Sequence, residues 1–131
     1  MPAYDDTRFA PPAPLAKVVL RHPDSGEIVA DVPMLIDSGA DVTLLPKVVV
    51  ESLGIPRSGA RYELVAFDST TSSADAVRAE LVFLDKRFRG QFLLIEAEIG
   101  VLGRDVLGNV RVVLDGPGLQ WEELRPPAKL S

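Results

Sequence analysis

A single acid stands where two apolar runs meet. Met34-Leu35-Ile36 leads into Asp37-Ser38-Gly39-Ala40-Asp41, and Val42-Thr43-Leu44-Leu45 follows. Short apolar runs of this kind belong on buried strands, and the small residues between them let the chain turn tightly. Asp37 is therefore a carboxylate on a tight turn inside a hydrophobic frame. Its flanks, Leu35-Ile36 on one side and Val42 with Leu44-Leu45 on the other, hold that turn on rigid strands.

The rest of the composition narrows the chemistry. The chain of 131 residues is long enough for one domain with its own core. With 47% apolar and 25% charged residues it reads as soluble and globular. No apolar stretch approaches the roughly 20 residues of a membrane span. Tyr4, Asp5, Asp6 and Arg8 interrupt any signal-peptide pattern at the N-terminus, so a cytoplasmic location is expected. The sequence has no cysteine, which removes disulfides and thiolate chemistry and suits a reducing compartment. The net charge of -5 argues against a nucleic-acid partner, which needs a basic face. His22 is the only histidine and lies in the turn composition His22-Pro23-Asp24-Ser25-Gly26. It reads as a solvated turn residue, leaving too few histidines for a metal site and a poor candidate for a Ser-His-Asp triad.

Along the chain, residues 1–14 carry four prolines and read as an extended or disordered tail. Ala16–Leu20 and Ile28–Ile36 form a hairpin signal around His22–Gly26. Pro46–Gly54 reads as a short helix, with proline in its first turn and Gly54 as C-terminal cap, although three consecutive valines favour a strand. Tyr62–Phe67 and Val77–Leu84 are strand candidates around a polar tip, Asp68–Asp75. A turn at Asp85-Lys86-Arg87 leads to a strand Phe88–Ile95 broken at Arg89-Gly90. Ile99–Leu102 is apolar again, and Val106–Asn109 suggests one helical turn. Val110–Leu114 and Leu119–Leu124 suggest a last hairpin, and residues 125–131 a C-terminal tail. Short strands with turns every 8 to 12 residues predict a mainly β, small closed barrel-like domain over residues 15–124, with one or two short helices.

Peptide hydrolysis by carboxylates needs two acids facing one another around one water. Like charges that close cannot both ionise, so the pair shares a proton. One activates the water and the other donates to the scissile carbonyl. This chain offers one candidate acid, so such a site requires two chains. The tripeptide alone is weak evidence, because Asp24-Ser25-Gly26 repeats it in what reads as an ordinary hairpin turn. What separates Asp37 is its apolar frame and a second motif, Val101-Leu102-Gly103-Arg104-Asp105-Val106-Leu107, some sixty residues on.

Together, Leu35-Ile36-Asp37-Ser38-Gly39-Ala40-Asp41 and Val101–Leu107 resemble the retropepsins, the retroviral-type aspartic proteases and their cellular and bacterial relatives. The helix ending Leu53-Gly54-Ile55 looks more like the bacterial and cellular members. The resemblance spans about Leu15 to Leu124, although its specific motifs cover some fifteen positions. It implies an acid-protease fold and an endopeptidase acting on extended polypeptide, with Asp37 as catalyst and no metal or organic cofactor. It implies that Ser38, Gly39, Ala40, Asp41, Gly103 and Arg104 support the active-site loop. Ser38 would supply a hydroxyl linking the two loops of a dimer, in place of the family's more frequent threonine. Gly39 would let its N–H approach the carboxylate, Gly103 would pass close under the loop, and Arg104 would pair with Asp41. Read without the family, Arg104 and Asp105 are solvated charges at a helix start.

The hairpin Glu63–Arg78 falls where the family places its flap, so Ala66, Phe67, Asp68, Ser69, Thr70 and Thr71 are expected at the substrate. The tip lacks the usual glycines, and an ordinary polar loop fits its composition equally well. Val42, Leu45, Phe67 and Val101 are expected around the substrate pockets. One acid per chain implies a homodimer with the site on its axis. Trp121, within Leu119–Leu124, would anchor that interface or else cap the domain's own core. The expected partners are peptide or protein substrate and a second copy, with neither membrane nor nucleic acid. The competing reading is an inactive retropepsin-fold dimerisation or peptide-binding module.

Overall fold

Alternation of inward apolar and outward polar residues builds the central strands. In Ala13–Arg21 the side chains of Ala16, Val18 and Leu20 are buried while Lys17 is exposed. The computed structural model describes residues 2–65 and 68–125. Its elements run β1 (Tyr4–Asp5), β2 (Ala13–Arg21), β3 (Ile28–Ile36), β4 (Leu44–Pro46), α1 (Lys47–Ser52), β5 (Arg57–Val65) and β6 (Thr71–Phe83). They continue as β7 (Lys86–Ile95), β8 (Gly100–Leu102), α2 (Arg104–Leu107), β9 (Val112–Asp115) and β10 (Gln120–Glu123). Among the described residues the chain is thus mainly β, with two short helices.

Strand order in the main sheet is β1-β2-β3-β8-β4-β7-β6-β5, and β2 also pairs with β6. The pairings therefore run β2-β3-β8-β4-β7-β6 and return to β2 as a circuit. Most contacts are antiparallel, but β3 pairs with β8, and β4 with β7, in parallel. These two parallel pairings lie either side of the segment 37–43, which they hold in place.

The core lies inside the circuit, where Val18, Leu20, Val32, Met34, Leu45, Leu81, Leu102 and Val106 are almost fully buried. A second, smaller cluster joins Ala74, Ala76 and Leu93 with Leu44, Ala60 and Leu64. β6 serves both clusters, because Ala76 and Val77 are adjacent and both fully buried. Its parity changes there, so one strand supports the main core with one half and the outer hairpin with the other.

Several boundaries differ from the sequence reading. The polar stretch expected as a hairpin tip from Asp68 to Asp75 is mostly strand, since Val65 pairs with Thr71 and Arg61 with Asp75. Ser and Thr here need no buried face, because backbone pairing and cross-strand contacts carry the ribbon. Arg61 Nη2 donates to Ser73 Oγ at 2.7 Å, and Arg57 Nε lies 3.3 Å from Asp75. The next turn is Leu84-Asp85, not Asp85–Arg87, with φ of 51° and 61° at its two residues. Two positive φ values match the right-handed strand twist, and here leucine accepts a conformation usually left to Asn or Gly. β7 runs unbroken through Gly90, which stands opposite Ala79. α2 begins at Arg104, two residues before the expected helical turn.

α1 forms despite its valines. Pro46 occupies the N-cap, Val50 is buried, and Gly54 takes φ +70° after the helix end. Tertiary burial outweighs a weak local propensity here. At the N-terminus, Tyr4 and Asp5 pair with Pro14 and Ala13, and Ala3 bridges to Gln120. Trp121 is 2% exposed. Its indole N–H donates to Leu15 O at 2.8 Å, and its ring lies 5.9 Å from that of Phe83. Of the two roles open to it, the structure gives Trp121 the capping of its own core. No helix among the described residues is long and apolar enough to cross a membrane.

Candidate functional site

The Asp37 turn hangs from the end of β3 and is tied to the chain that crosses beneath it. Asp37 N–H donates to Leu102 O at 3.1 Å, and Arg104 N–H donates to Ala40 O at 2.8 Å. Between these two bonds passes Gly103. A Cβ built there would lie 2.5 Å from the carbonyl carbon and oxygen of Val42. Only glycine permits the crossing strand to run that close to the loop's backbone. Gly100 is similarly confined, with Leu44 O 2.6 Å from the position of a Cβ.

Side chains complete the clamp. Thr43 is fully buried and works in both directions. Its hydroxyl donates to Asp105 Oδ1 at 2.6 Å and accepts the Gly103 N–H at 3.1 Å. Its own N–H donates to Asp105 Oδ2 at 3.1 Å, and Asp105 Oδ1 also accepts the Val106 N–H at 2.9 Å. Asp105 therefore satisfies both the loop and the first turn of α2. Arg104 Nη1 donates to Ser38 O at 2.7 Å, and Arg104 Nη2 pairs with Asp41 Oδ1. The Asp41 and Arg104 side chains are 81% and 54% exposed, so this pair acts through geometry more than stability.

Asp37 itself is half-buried, and Ser38 and Gly39 are exposed beside it. Gly39 N–H donates to Asp37 Oδ1 at 2.9 Å, and Ala40 N–H to Asp37 O at 3.2 Å. The carboxylate is thereby oriented by its own turn. The other Asp-Ser-Gly has a different fate. There Gly26 takes φ +79° in the β2–β3 connection, and Glu27 N–H caps onto Ser25 Oγ at 3.2 Å. Among the described residues, no backbone hydrogen bond ties residues 24–26 to a distant segment, as Leu102 and Arg104 tie the Asp37 loop.

A cleft of about 530 Å³ opens beside the loop. Gly39, Ala40, Asp41 and Val42 form one wall, and Tyr62–Val65 with Thr70–Ser72 form the other, over Leu44 and Leu93. Its apolar floor is the smaller core cluster. A hollow of about 630 Å³ lies elsewhere, between the N-terminal segment, Leu15 and Trp121, and touches none of the Asp37 loop.

The structure thus brings together Asp37, Ser38, Gly39, Ala40, Asp41, Gly103 and Arg104. Across the cleft, Thr70 and Thr71 line the β5–β6 side. Asp68 Oδ1 accepts from Thr70 Oγ1 at 2.6 Å and Thr70 N at 3.0 Å, and Ser69 takes φ +67°. The Thr70 hydroxyl, and then its amide, hold the Asp68 carboxyl below its ordinary range. Ala66 and Phe67 lie outside the described residues. Of the expected pocket residues, Val42 lines the cleft, whereas Leu45 is fully buried in the core beneath it. The strand alternation that exposes Leu44 to the cleft turns Leu45 away. Sequence reasoning missed Thr43 altogether and left Asp105 as a helix-start charge. The available signal was a lone hydroxyl within an apolar run, at a position that demands burial. Among the described residues, no group of three His, Asp or Glu is placed to hold a metal.

Comparison with known proteins agrees with this geometry. A family model described as aspartyl protease matches residues 25–106, a span that contains both the Asp37 loop and the crossing segment. Among solved structures, EIAV protease complexed with the inhibitor HBY-793 shares the fold with a TM-score of 0.54. The two are 18% identical over 74% of this chain and 86% of that one. No curated protein sequence gives a significant match.

Proposed function

The chain belongs to the aspartyl protease family, and from that premise we propose that it is an endopeptidase, working as a homodimer on extended polypeptide. The observation that carries this reading is the clamp. A half-buried carboxylate is fixed by its own turn, and that turn is stitched to a second segment at Leu102–Asp105. Such rigidity is what positioned acid–base chemistry requires. Ser38 and Gly39, exposed beside Asp37, are available to meet a second copy.

In this mechanism the Asp37 side chains of two subunits face one water and share one proton. The ionised carboxylate takes a proton from the water as the water oxygen bonds to the scissile carbonyl carbon and the carbonyl double bond opens. The protonated carboxyl donates to the carbonyl oxygen. As the C–N bond breaks, the carboxyl that took the water's proton passes it to the leaving nitrogen. The other carboxylate takes a proton back from a hydroxyl of the tetrahedral diol, so that one shared proton remains on the pair. Water is the nucleophile, and no metal or organic group enters the steps. The peptide lies in the cleft between the loop and the β5–β6 ribbon. Val42, Leu44, Leu64 and Leu93 give that cleft an apolar lining, and the ribbon acts as the closing flap.

The test uses purified wild type and Asp37→Asn with a mixed peptide library, reading new termini by mass spectrometry. Cleavage by wild type alone is expected. Equal cleavage by both proteins, or by neither when both are dimeric, favours the non-catalytic module.

A further inference from the structure

Far from any role in the clamp, one buried carboxylate gathers three arginines. Glu80 is 2% exposed in the middle of β6. It stands in register with Arg21 on β2 and Arg89 on β7. Arg21 Nη1 and Arg89 Nε each lie 3.2 Å from Oε2, and Arg87 Nε lies 3.6 Å from Oε1. Arg78, two residues before Glu80 and so on the same face, pairs with no carboxylate among the described residues. Three guanidinium groups thus surround one carboxylate, with Arg78 on the same face of the strand, in a chain whose net charge is -5.

This is more positive charge than a structural ion pair needs. A buried carboxylate is neutralised by one well-placed cation, and further like charges beside it repel one another. Each guanidinium carries five donors, and Glu80 engages few of them. The side chains of Arg87 and Arg89 remain 66% and 71% exposed, so their other donors face solvent. Beside them lies a concavity of about 150 Å³, lined by Pro23, Arg78, Ala79, Glu80, Arg89 and Gly90. All four cations are arginine, whose planar forks match tetrahedral oxyanions better than lysine does.

We propose that this concavity binds a phosphate-type oxyanion, either free or carried as a phosphomonoester on a polypeptide. Glu80 is a positioning residue in it. It lines the concavity but is 2% exposed, and Arg21, Arg87 and Arg89 around it offset its charge while it orders them. The site does not depend on peptidase chemistry, so it stands or falls separately from the activity.

The test titrates the full chain with inorganic phosphate, with a phosphoserine peptide and with that peptide unphosphorylated. Chloride matches the ionic strength, and the arginine Nε–H resonances are followed by NMR. Saturable shifts at Arg78 and Arg89 are expected with phosphate or the phosphopeptide and not with chloride. The double variant Arg78→Gln, Arg89→Gln changes only exposed side chains, and should bind at least about tenfold more weakly with its amide spectrum otherwise intact. Tighter binding of the phosphopeptide than of phosphate assigns the anion to a polypeptide, and the reverse assigns it to the free ion. No saturation with either probe up to about 10 mM, or equal affinity in the double variant, overturns the proposal.

Discussion

Thr43 shows how much of the site rests on one buried hydroxyl. It donates to Asp105 and accepts from Gly103, so Thr43→Val keeps the shape but leaves the buried Gly103 N–H without its acceptor and removes one of the hydrogen bonds that hold Asp105. Leaving such groups unpaired in the interior costs about 1–3 kcal/mol. Urea denaturation should show a loss of that size, with activity falling more than the folded fraction does. At Gly103 the objection is steric, since a new Cβ meets the Val42 backbone 2.5 Å away. Gly103→Ala should cost roughly 1–3 kcal/mol and displace the loop, so that peptide turnover is lost even in the protein that remains folded. At this scale the sequence was uneven. Asp37 was readable because apolar residues frame it, and Arg104 because a family motif places it. Thr43 was not, because a threonine among valine and leucine has the same strand propensity wherever its hydroxyl points.

Among the elements, apolar runs either side of turn residues made the hairpin β2–β3 and the last pair β9–β10 legible. The β5–β6 ribbon was harder, because a two-stranded extension with polar faces carries no alternation to read. Its tip is held by Asp68, which caps Thr70. Asp68→Ala should leave the unfolding midpoint unchanged within error and raise KM several-fold, as expected of a closing element whose end has been loosened. A rise in unfolding with no change in KM contradicts the flap role. The N-terminal segment gives a pH test. The Arg8 amide, with further help from Thr7 and the Arg8 side chain, holds the Asp5 carboxyl down from 3.8 to about 2. A depressed value means that the bonded turn is fully favoured above the ordinary carboxylate range and is lost as pH falls through the folded value. The Arg8 amide shift should therefore titrate with a midpoint of about 2, and a midpoint at 3.8 contradicts the turn.

For the whole molecule, the closed circuit of strand pairings was only half visible in the sequence. The parallel contacts of β3 with β8 and of β4 with β7 join residues 66 and 49 positions apart, which no local pattern announces. They bring Gly103 under Asp37, and they make one chain half of a proposed site. Mixing wild type with Asp37→Asn tests that claim most directly. If the site needs one Asp37 from each subunit, adding an equal amount of the variant and allowing exchange should cut wild-type turnover to about half, because mixed dimers are silent. Turnover unaffected by the variant, with subunit exchange verified by native mass spectrometry, would contradict a shared site.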